Sequence, residues 1–366
     1  MVPDDATTAA NATSETRDGV WSIGYGSRIL VALDKFRGTA TAVELCEVVA
    51  DVLRRLGFDP DVQPLSDGGE GFRDVFRGDE IKVEVSGPLG ETVTAGITFT
   101  SENSLRTALL EGADAVGRQH LVSPTPAQAL EASSAGLGEL ILAAAENGAQ
   151  RILLGLGGSA TSDGGLGCYE ILRKHGGLPV PVVAATDVTA RFSGARRYAT
   201  QKGVRDEDLP LVEARLVRAS TLYLQEQGVD VEALDRTGAA GGIAGAISAL
   251  GGSLVDGLEA VDQAVDLRVR LSRASLVISG EGRFDEGSLE GKVTGGIAAM
   301  IHGRVPLLLV CGSLEEHAAA QLTSRYQHVR LVGLSDMFGL DRSTNDVLGA
   351  VREIVTREFA TAASHH

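Results

Sequence analysis

A chain of 366 residues, 43% hydrophobic and 22% charged, can bury more than one core and is expected to fold as two soluble domains. Its formal charge of −16, with no run of Lys or Arg, argues against nucleic acid as a partner. Any bound phosphate or carboxylate must then be met by locally placed Arg, Lys, backbone N–H groups or a metal. Cys46, Cys168 and Cys311 form no CxxC pair, so neither a disulfide frame nor a zinc site is expected. With no apolar run long enough for a bilayer and no secretory pattern, a cytoplasmic protein is expected. Abundant glycine (46 residues) beside scarce aromatics (4%) suits an α/β protein with many tight strand-to-helix turns.

Residues 1–27 lack sustained periodicity and read as a disordered extension, with Trp21 and Tyr25 as the residues able to dock on the body. "RILVALD" (Arg28 to Asp34) predicts a buried strand. A helix from Val43 to Leu56 follows, with Leu45, Val48, Val49, Val52 and Leu53 on one stripe and Gly57 ending it. "DVQPL" predicts a second strand running into "SDGGEG" (Ser66 to Gly71). From Ile81 to Leu110 the alternation of "IKVEV", "ETVTAGITFT" and "RTALLE" predicts antiparallel hairpins with one wet face. A single helix is expected over "PAQALEASSAGLGELILAAAENG", then the strand "RILLG", the strand "LPVPVVAAT" and a Gly-rich helix over Thr237 to Gly252. From "ASLVISG" onward strand and helix alternate with short links, a doubly wound pattern like that of the N-terminal start. The expected architecture is therefore α/β with two domains: a Rossmann-like doubly wound parallel sheet (28–78 plus 260–366) and an inserted α/β domain with a mixed sheet (79–259).

Four polar, glycine-rich loops follow predicted strands: "DKFRGT" (Asp34 to Thr39), "SDGGEG", "GLGGSATSDGG" (Gly155 to Gly165) and "SGEGRFDEGSLEGK" (Ser279 to Lys292). Ligands of open α/β sheets sit beyond the carboxyl ends of the strands, so four such loops imply one shared cleft. "GLGGSA" fits the dinucleotide pattern G-x-G-x-x-G/A, but lacks an obvious ribose-binding acid about 20 residues on. Its bare N–H groups at Gly157 and Gly158, with the Ser159 and Thr161 hydroxyls, also suit an anion cradle, and equally a tight turn whose glycines serve packing alone. The last loop is not a Walker A sequence. It places Glu281, Arg283, Asp285 and Lys292 together, either as magnesium-holding acids beside phosphate-neutralising cations or as solvated ion pairs. Asp67 can serve chemistry or cap a helix, Asp187 can be a base, a metal ligand or a cap, and Lys202 of "QKG" can meet phosphate or water. No metal-ligand His spacing and no G-x-S-x-G elbow occurs, which sets aside zinc and serine-hydrolase readings.

"ALDKFRGTATAVEL", "PLSDGGEG", "GLGGSATSDGGLG", "TDV", "QKG", "TGAAGGIAGAI" and "VISGEGRFDEGSLEGK" occur in the order seen in the type I glycerate kinase family, which the chain resembles from Arg28 to its C-terminal helix. The resemblance implies phosphorylation of D-glycerate to 2-phosphoglycerate, with ATP and Mg2+ as cofactors and the active site between two α/β domains. It makes Asp187 the general base, with Lys35 and Arg283 completing the catalytic set and Arg283 gripping the substrate carboxylate. Asp34, Arg37, Asp67, Gly68, Gly69 and Ser159 are then expected on the substrate side. Gly157, Gly158, Ser159, Thr161, Lys202, Gly282 and Lys292 are expected on the nucleotide side, and Asp285 and Glu281 at the metal. One segment departs from the family: "TDVTARFSGARRYATQKG" lacks the usual Asn-Pro-Leu and is several residues short, with Arg191, Arg196 and Arg197 in its place. That departure leaves open another small polyol or cyclitol as acceptor, or a non-catalytic metabolite-binding relative.

Overall fold

After its first residue β1 (Arg28–Leu33) is an unbroken buried apolar run, as a parallel strand covered on both faces must be. This computed structural model describes residues 23–101, 105–289 and 292–360. Twelve further strands follow among them: β2 (Asp59–Val62), β3 (Asp79–Ser86), β4 (Thr92–Thr100), β5 (Thr107–Glu111), β6 (Arg151–Gly155) and β7 (Val182–Thr186), then β8 (Ser253–Asp256), β9 (Leu276–Gly280), β10 (Arg283–Phe284), β11 (Leu307–Cys311), β12 (Ser313–Leu314) and β13 (Val329–Gly333).

The first sheet is fully parallel, in the order β13-β11-β9-β1-β2. Strand order reverses between β1 and β9, so the loops leaving these two strands diverge and open a crevice at their carboxyl ends. The second sheet, β3-β4-β5-β6-β7-β8, is antiparallel across β3, β4 and β5 and parallel from β5 to β8. The two-stranded β10-β12 pair sits apart from both. One apolar layer joins the sheets: Leu30, Ala32 and Val277 of the first and Leu109, Leu153 and Ala185 of the second pack with Leu258, Val261 and Ala264 of the helix Gly257–Val265. The far faces have their own cores. No helix among the described residues is long and apolar enough to cross a membrane.

The helix Ala42–Arg55 starts where its capping box requires: Thr41 accepts from the Glu44 N–H, and the Glu44 carboxylate accepts from the Thr41 N–H. Three expectations need correction. The helix expected over 126–148 is two, Pro126–Glu131 and Ala135–Glu146. The break exists because Asp163, from the glycine loop, accepts hydrogen bonds from both the N–H and the hydroxyl of Ser134. The helix expected over 237–252 shrinks to Ile243–Ala249. Ahead of it Ala240 and Gly241 adopt left-handed backbone, and a Cβ on Gly241 would stand 2.0 Å from the Thr161 carbonyl oxygen, so only glycine lets the two loops touch. The extension expected over 1–27 does not hold for residues 23–27. Residues 1–22, Trp21 with them, lie outside the described residues, but Ile23 is buried in the core and the Gly26 N–H donates to the Gly57 carbonyl. Tyr25 stays largely exposed, with its ring edge over Gly57.

At Gly157 the "GLGGSATSDGG" and "SDGGEG" loops leave no space for a side chain: a Cβ there would lie 2.5 Å from the Gly69 Cα. Gly157→Ala is expected to push the loops apart and cost about 1–3 kcal/mol, read as a lowered denaturant midpoint with unchanged slope. A variant as stable as the parent would show that the contact relaxes freely.

Candidate active site

The loops after β1, β2, β6, β7 and β9 meet in one cleft of about 450 Å³, lined by Asp34, Lys35, Arg37, Asp67, Gly69, Gly157, Gly158, Asp187, Glu281, Gly282, Arg283, Asp285 and Lys292. It adjoins a wider cavity of about 1250 Å³ that reaches Thr200–Gly203 and shares Asp34, Lys35, Arg37, Glu70, Arg118 and Gly158 with it. Five separated motifs thus converge, as the pattern of strand-end loops requires.

At the centre stands Lys35. Its ammonium donates to Asp67 Oδ1 at 3.2 Å and to the Glu70 carbonyl at 2.8 Å. Asp67 Oδ1 also accepts the Gly69 N–H at 3.0 Å, while Asp34 Oδ1 accepts the Lys35 N–H at 2.7 Å. A Cβ built on Gly69 would lie 3.0 Å from Asp67 Oδ1, 3.5 Å from Lys35 Nζ and 3.8 Å from Asp187 Oδ2, so three charged groups face one small volume that glycine leaves open.

Crowding of acids sets the protonation states. Burial, then the neighbouring Asp67 charge, pushes Asp34 up to about 7. Burial and the same Asp67 charge also raise Asp187, which opens onto the cleft but is walled by protein on most sides. Burial would raise Asp67 too, but the Lys35 ammonium, the Gly69 N–H and Lys292 outweigh it and hold its carboxyl below the ordinary range. Burial would depress Lys35; the Asp67 and Asp34 charges reverse that and raise it. Glu281 is raised by burial, with one oxygen accepting from the Thr294 hydroxyl.

The nucleotide-side candidates divide. Gly157 and Gly158 line the cleft, whereas Ser159 is buried and Thr161 is fully buried and lines neither cavity. Lys202 lines only the wider cavity. Its ammonium donates to Ser159 Oγ (3.0 Å) and the Thr161 carbonyl (2.6 Å), and burial drops its pKa to about 8. Gly68 is buried and turns the chain in left-handed backbone against Ala185. Arg283 lines the cleft with a largely exposed side chain 3.7 Å from Asp285. The segment that departs from the family folds into the short helical turn Phe192–Tyr198, with Phe192 fully buried. Arg191 pairs with Asp235, Arg196 with Glu213, and none of its three arginines lines either cavity. Sequence reasoning missed Arg118 and Glu111. Arg118 follows the short helix after β5 and lines both cavities, while Glu111 ends β5 and accepts the Gly71 N–H. The signal available for both was position alone, at the carboxyl end of a strand.

The sequence model of the glycerate kinase family matches this chain over residues 29–175 and 178–352. The chain is 32% identical over 332 residues to the glycerate 2-kinase of Escherichia coli (strain K12), covering 79% of this chain and 86% of that protein. It is 31% identical over 328 residues to the glycerate kinase of Halalkalibacterium halodurans, with 78% and 85% covered. An uncharacterized protein of Mycobacterium tuberculosis (strain CDC 1551 / Oshkosh) is 35% identical over 369 residues, with 93% and 95% covered. The crystal structure of a putative glycerate kinase 2 from Salmonella typhimurium LT2 superposes with a TM-score of 0.73 at 29% identity, over 92% of this chain and 99% of that one. Sequence and architecture agree across the length of the fold: the chain belongs to the glycerate kinase family, and it is a phosphotransferase with an alcohol group as acceptor.

Proposed function

We propose that the chain phosphorylates the 2-hydroxyl of D-glycerate with ATP, giving 2-phosphoglycerate and ADP, in the cleft between units 28–78 plus 260–366 and 79–259. The observation that carries this reading is the gathering of Lys35, Asp67 and Asp187 around Gly69, within a cleft that also holds Arg37, Arg283 and Lys292. Relatives at 31–32% identity named glycerate kinase and glycerate 2-kinase support the substrate.

Phosphoryl transfer needs positioning and charge neutralisation more than covalent help from the protein. Asp187 takes the hydroxyl proton as the alcohol oxygen bonds to the γ-phosphorus and the bond from that phosphorus to the β–γ bridging oxygen breaks, releasing ADP. Its raised pKa suits a base, because a more basic carboxylate holds the proton better at neutral pH. Lys35 keeps Asp67 and the Glu70 carbonyl in place beside it. Arg283 takes the glycerate carboxylate with two parallel N–H bonds. The N–H groups of Gly157, Gly158 and Gly282, with Lys292, form the phosphate side, and the buried Lys202–Ser159 bond braces the glycine loop behind it.

No three His, Cys, Asp or Glu side chains gather as a metal cage among the described residues. The fit is therefore to a magnesium ion that comes with the nucleotide, neutralising its phosphates and touching one or two carboxylates, for which Asp285 and Glu281 are the candidates. A larger polyol or cyclitol is the second reading. It is favoured by the roomy cavity at Thr200–Gly203, beside the shortened segment. A coupled ATPase assay over hydroxy acids and polyols separates the two: turnover of polyols without glycerate selects the second.

Asp187→Asn is expected to cut kcat by about 10²- to 10⁴-fold with ATP affinity little changed. In the parent, kcat/KM should fall on acidification through a group above the ordinary Asp value of 3.8, and near-parental turnover in the variant would remove Asp187 as base. Arg283→Ala is expected to raise KM for the acid acceptor about tenfold or more while KM for ATP holds; the reverse pattern would move Arg283 to the phosphate side. Asp34 binds its proton more tightly folded than unfolded, so its contribution to stability is full below 3.8 and is lost as pH rises through about 7. Asp34→Asn should therefore stabilise the fold at pH 8 by an amount on the order of 1 kcal/mol, more than at pH 5, while lowering activity. An equal or opposite change at pH 8 would contradict the burial argument.

A further inference from the structure

Acids outnumber cations in this chain, and most arginines near the site are already paired. Arg73 holds Glu80 and Asp114, Arg236 holds Asp256, and Arg270 holds Asp61. Within the cleft Lys35 is committed to Asp67 and the Glu70 carbonyl and Arg283 lies beside Asp285, while in the wider cavity Lys202 is buried on Ser159 and Thr161. Two cations remain. Arg37 and Arg118 make no ion pair and no side-chain hydrogen bond among the described residues, both are exposed, and both line both cavities.

They come from opposite walls. Arg37 rides the loop after β1, in the first sheet's unit, on a tight turn closed by reciprocal bonds between Phe36 and Ala40 (2.9 and 3.0 Å). Arg118 rides the second sheet's unit. Its N–H donates to the Gly158 carbonyl at 3.0 Å, Gly117 bridges Ser159, and the Ala160 N–H donates to the Val116 carbonyl at 2.8 Å. Both guanidinium groups therefore project from braced backbone, and Arg118 is fixed to the glycine loop offered above as the phosphate cradle. Neither charge is idle. Arg37 is close enough to Asp187 to favour its carboxylate, and Arg118 close enough to repel the buried Lys202 ammonium. An anion beside Arg118 would relieve that repulsion, and a polyanion entering among Asp34, Asp67, Asp187 and Glu281 needs opposing charge at its leading end.

We propose that Arg37 and Arg118 form a clamp, one arginine from each wall, that grips the terminal phosphoryl of a nucleoside triphosphate beside Asp187. This rests on the kinase reading, adds Arg118 to the residues that touch substrate, and moves Arg37 from the acceptor to the donor. A planar guanidinium suits the task, since it offers two parallel donors to a phosphoryl group and carries charge at every working pH. An arginine aimed at the transferring group acts on the charge of the transition state, so its loss falls on kcat as well as on binding.

The test is calorimetric titration of the full-length protein with inorganic tripolyphosphate and with ATP, both with magnesium and without acceptor, together with turnover assays. Each of Arg37→Ala and Arg118→Ala should weaken tripolyphosphate binding about tenfold or more. The double variant should lose less than the product of the two, because both groups hold one anion. Arg118→Lys should recover only part of the loss. Arg197→Ala, which removes an exposed arginine lining neither cavity, should stay within twofold of the parent. Arg118→Ala should also lower kcat by about 10²-fold or more. Tripolyphosphate affinity within twofold of the parent in Arg118→Ala overturns the clamp, as do strictly multiplicative losses in the double variant or a parent that does not bind tripolyphosphate. The affinities are read without acceptor. A parent whose variants show these losses, yet which fails to phosphorylate glycerate, therefore supports the clamp and sinks the acceptor assignment.

Discussion

One ammonium group holds the site together. Asp34, Asp67 and Asp187 arrive on three different loops, and the Asp67 charge pushes both of the others toward protonation, as theirs would push Asp67. Lys35 prevents this for Asp67 by a direct bond, and its second bond, to the Glu70 carbonyl, fixes the turn that carries Asp67. Removing it would leave an uncompensated charge in a partly closed pocket, the situation in which breaking a pair costs far more than the pair itself contributes. The uneven result is useful. Asp67 stays ionised, Asp34 hovers near neutrality, and Asp187 is more basic than an ordinary aspartate.

Backbone does much of the remaining work. The "SDGGEG" and "GLGGSATSDGG" loops approach so closely that Gly157 and Gly69 leave no room for a side chain between them, and Gly241 lets a third segment reach Thr161. Asp163 serves this frame and points away from chemistry: its carboxylate accepts from Ser134, Gly165 and Gly167, tying the glycine loop to the start of the helix Ala135–Glu146. The buried Lys202 fastens the same loop from the other side. The glycines that read as an anion cradle or as packing turns thus include both kinds, with Gly157 and Gly158 facing the cleft and Gly164 and Gly165 packed against Ala219 and Ala246.

What was legible in the sequence was whatever depends on short-range pattern. Apolar runs gave the strands, alternation gave the antiparallel half of the second sheet, and polar glycine loops after strands located the cleft. What escaped depends on contacts between distant segments. Nothing local in "ALEASSAGL" shows that Asp163 will take the Ser134 N–H and split a helix, and nothing in "TGAAGG" shows that Thr161 will press on Gly241. Arg118 was invisible for the same reason. An arginine becomes notable only when the acids around it are found to be engaged elsewhere, and that is a property of the assembled cleft.

The pairing of β1 with β9 has a consequence for how the molecule is made. Ile29 registers with Leu276, and everything that builds the second sheet lies between them in the chain. During synthesis β1 and β2 emerge long before their neighbour, and stay a two-stranded ribbon with an open edge until β9 is threaded alongside. The intervening segment gains by folding early, since its compaction draws the two distant ends together and shortens the loop to be closed. A ribosome stalled before Leu276 would therefore release a chain in which β1 is paired on one edge only, its other edge exposed to self-association.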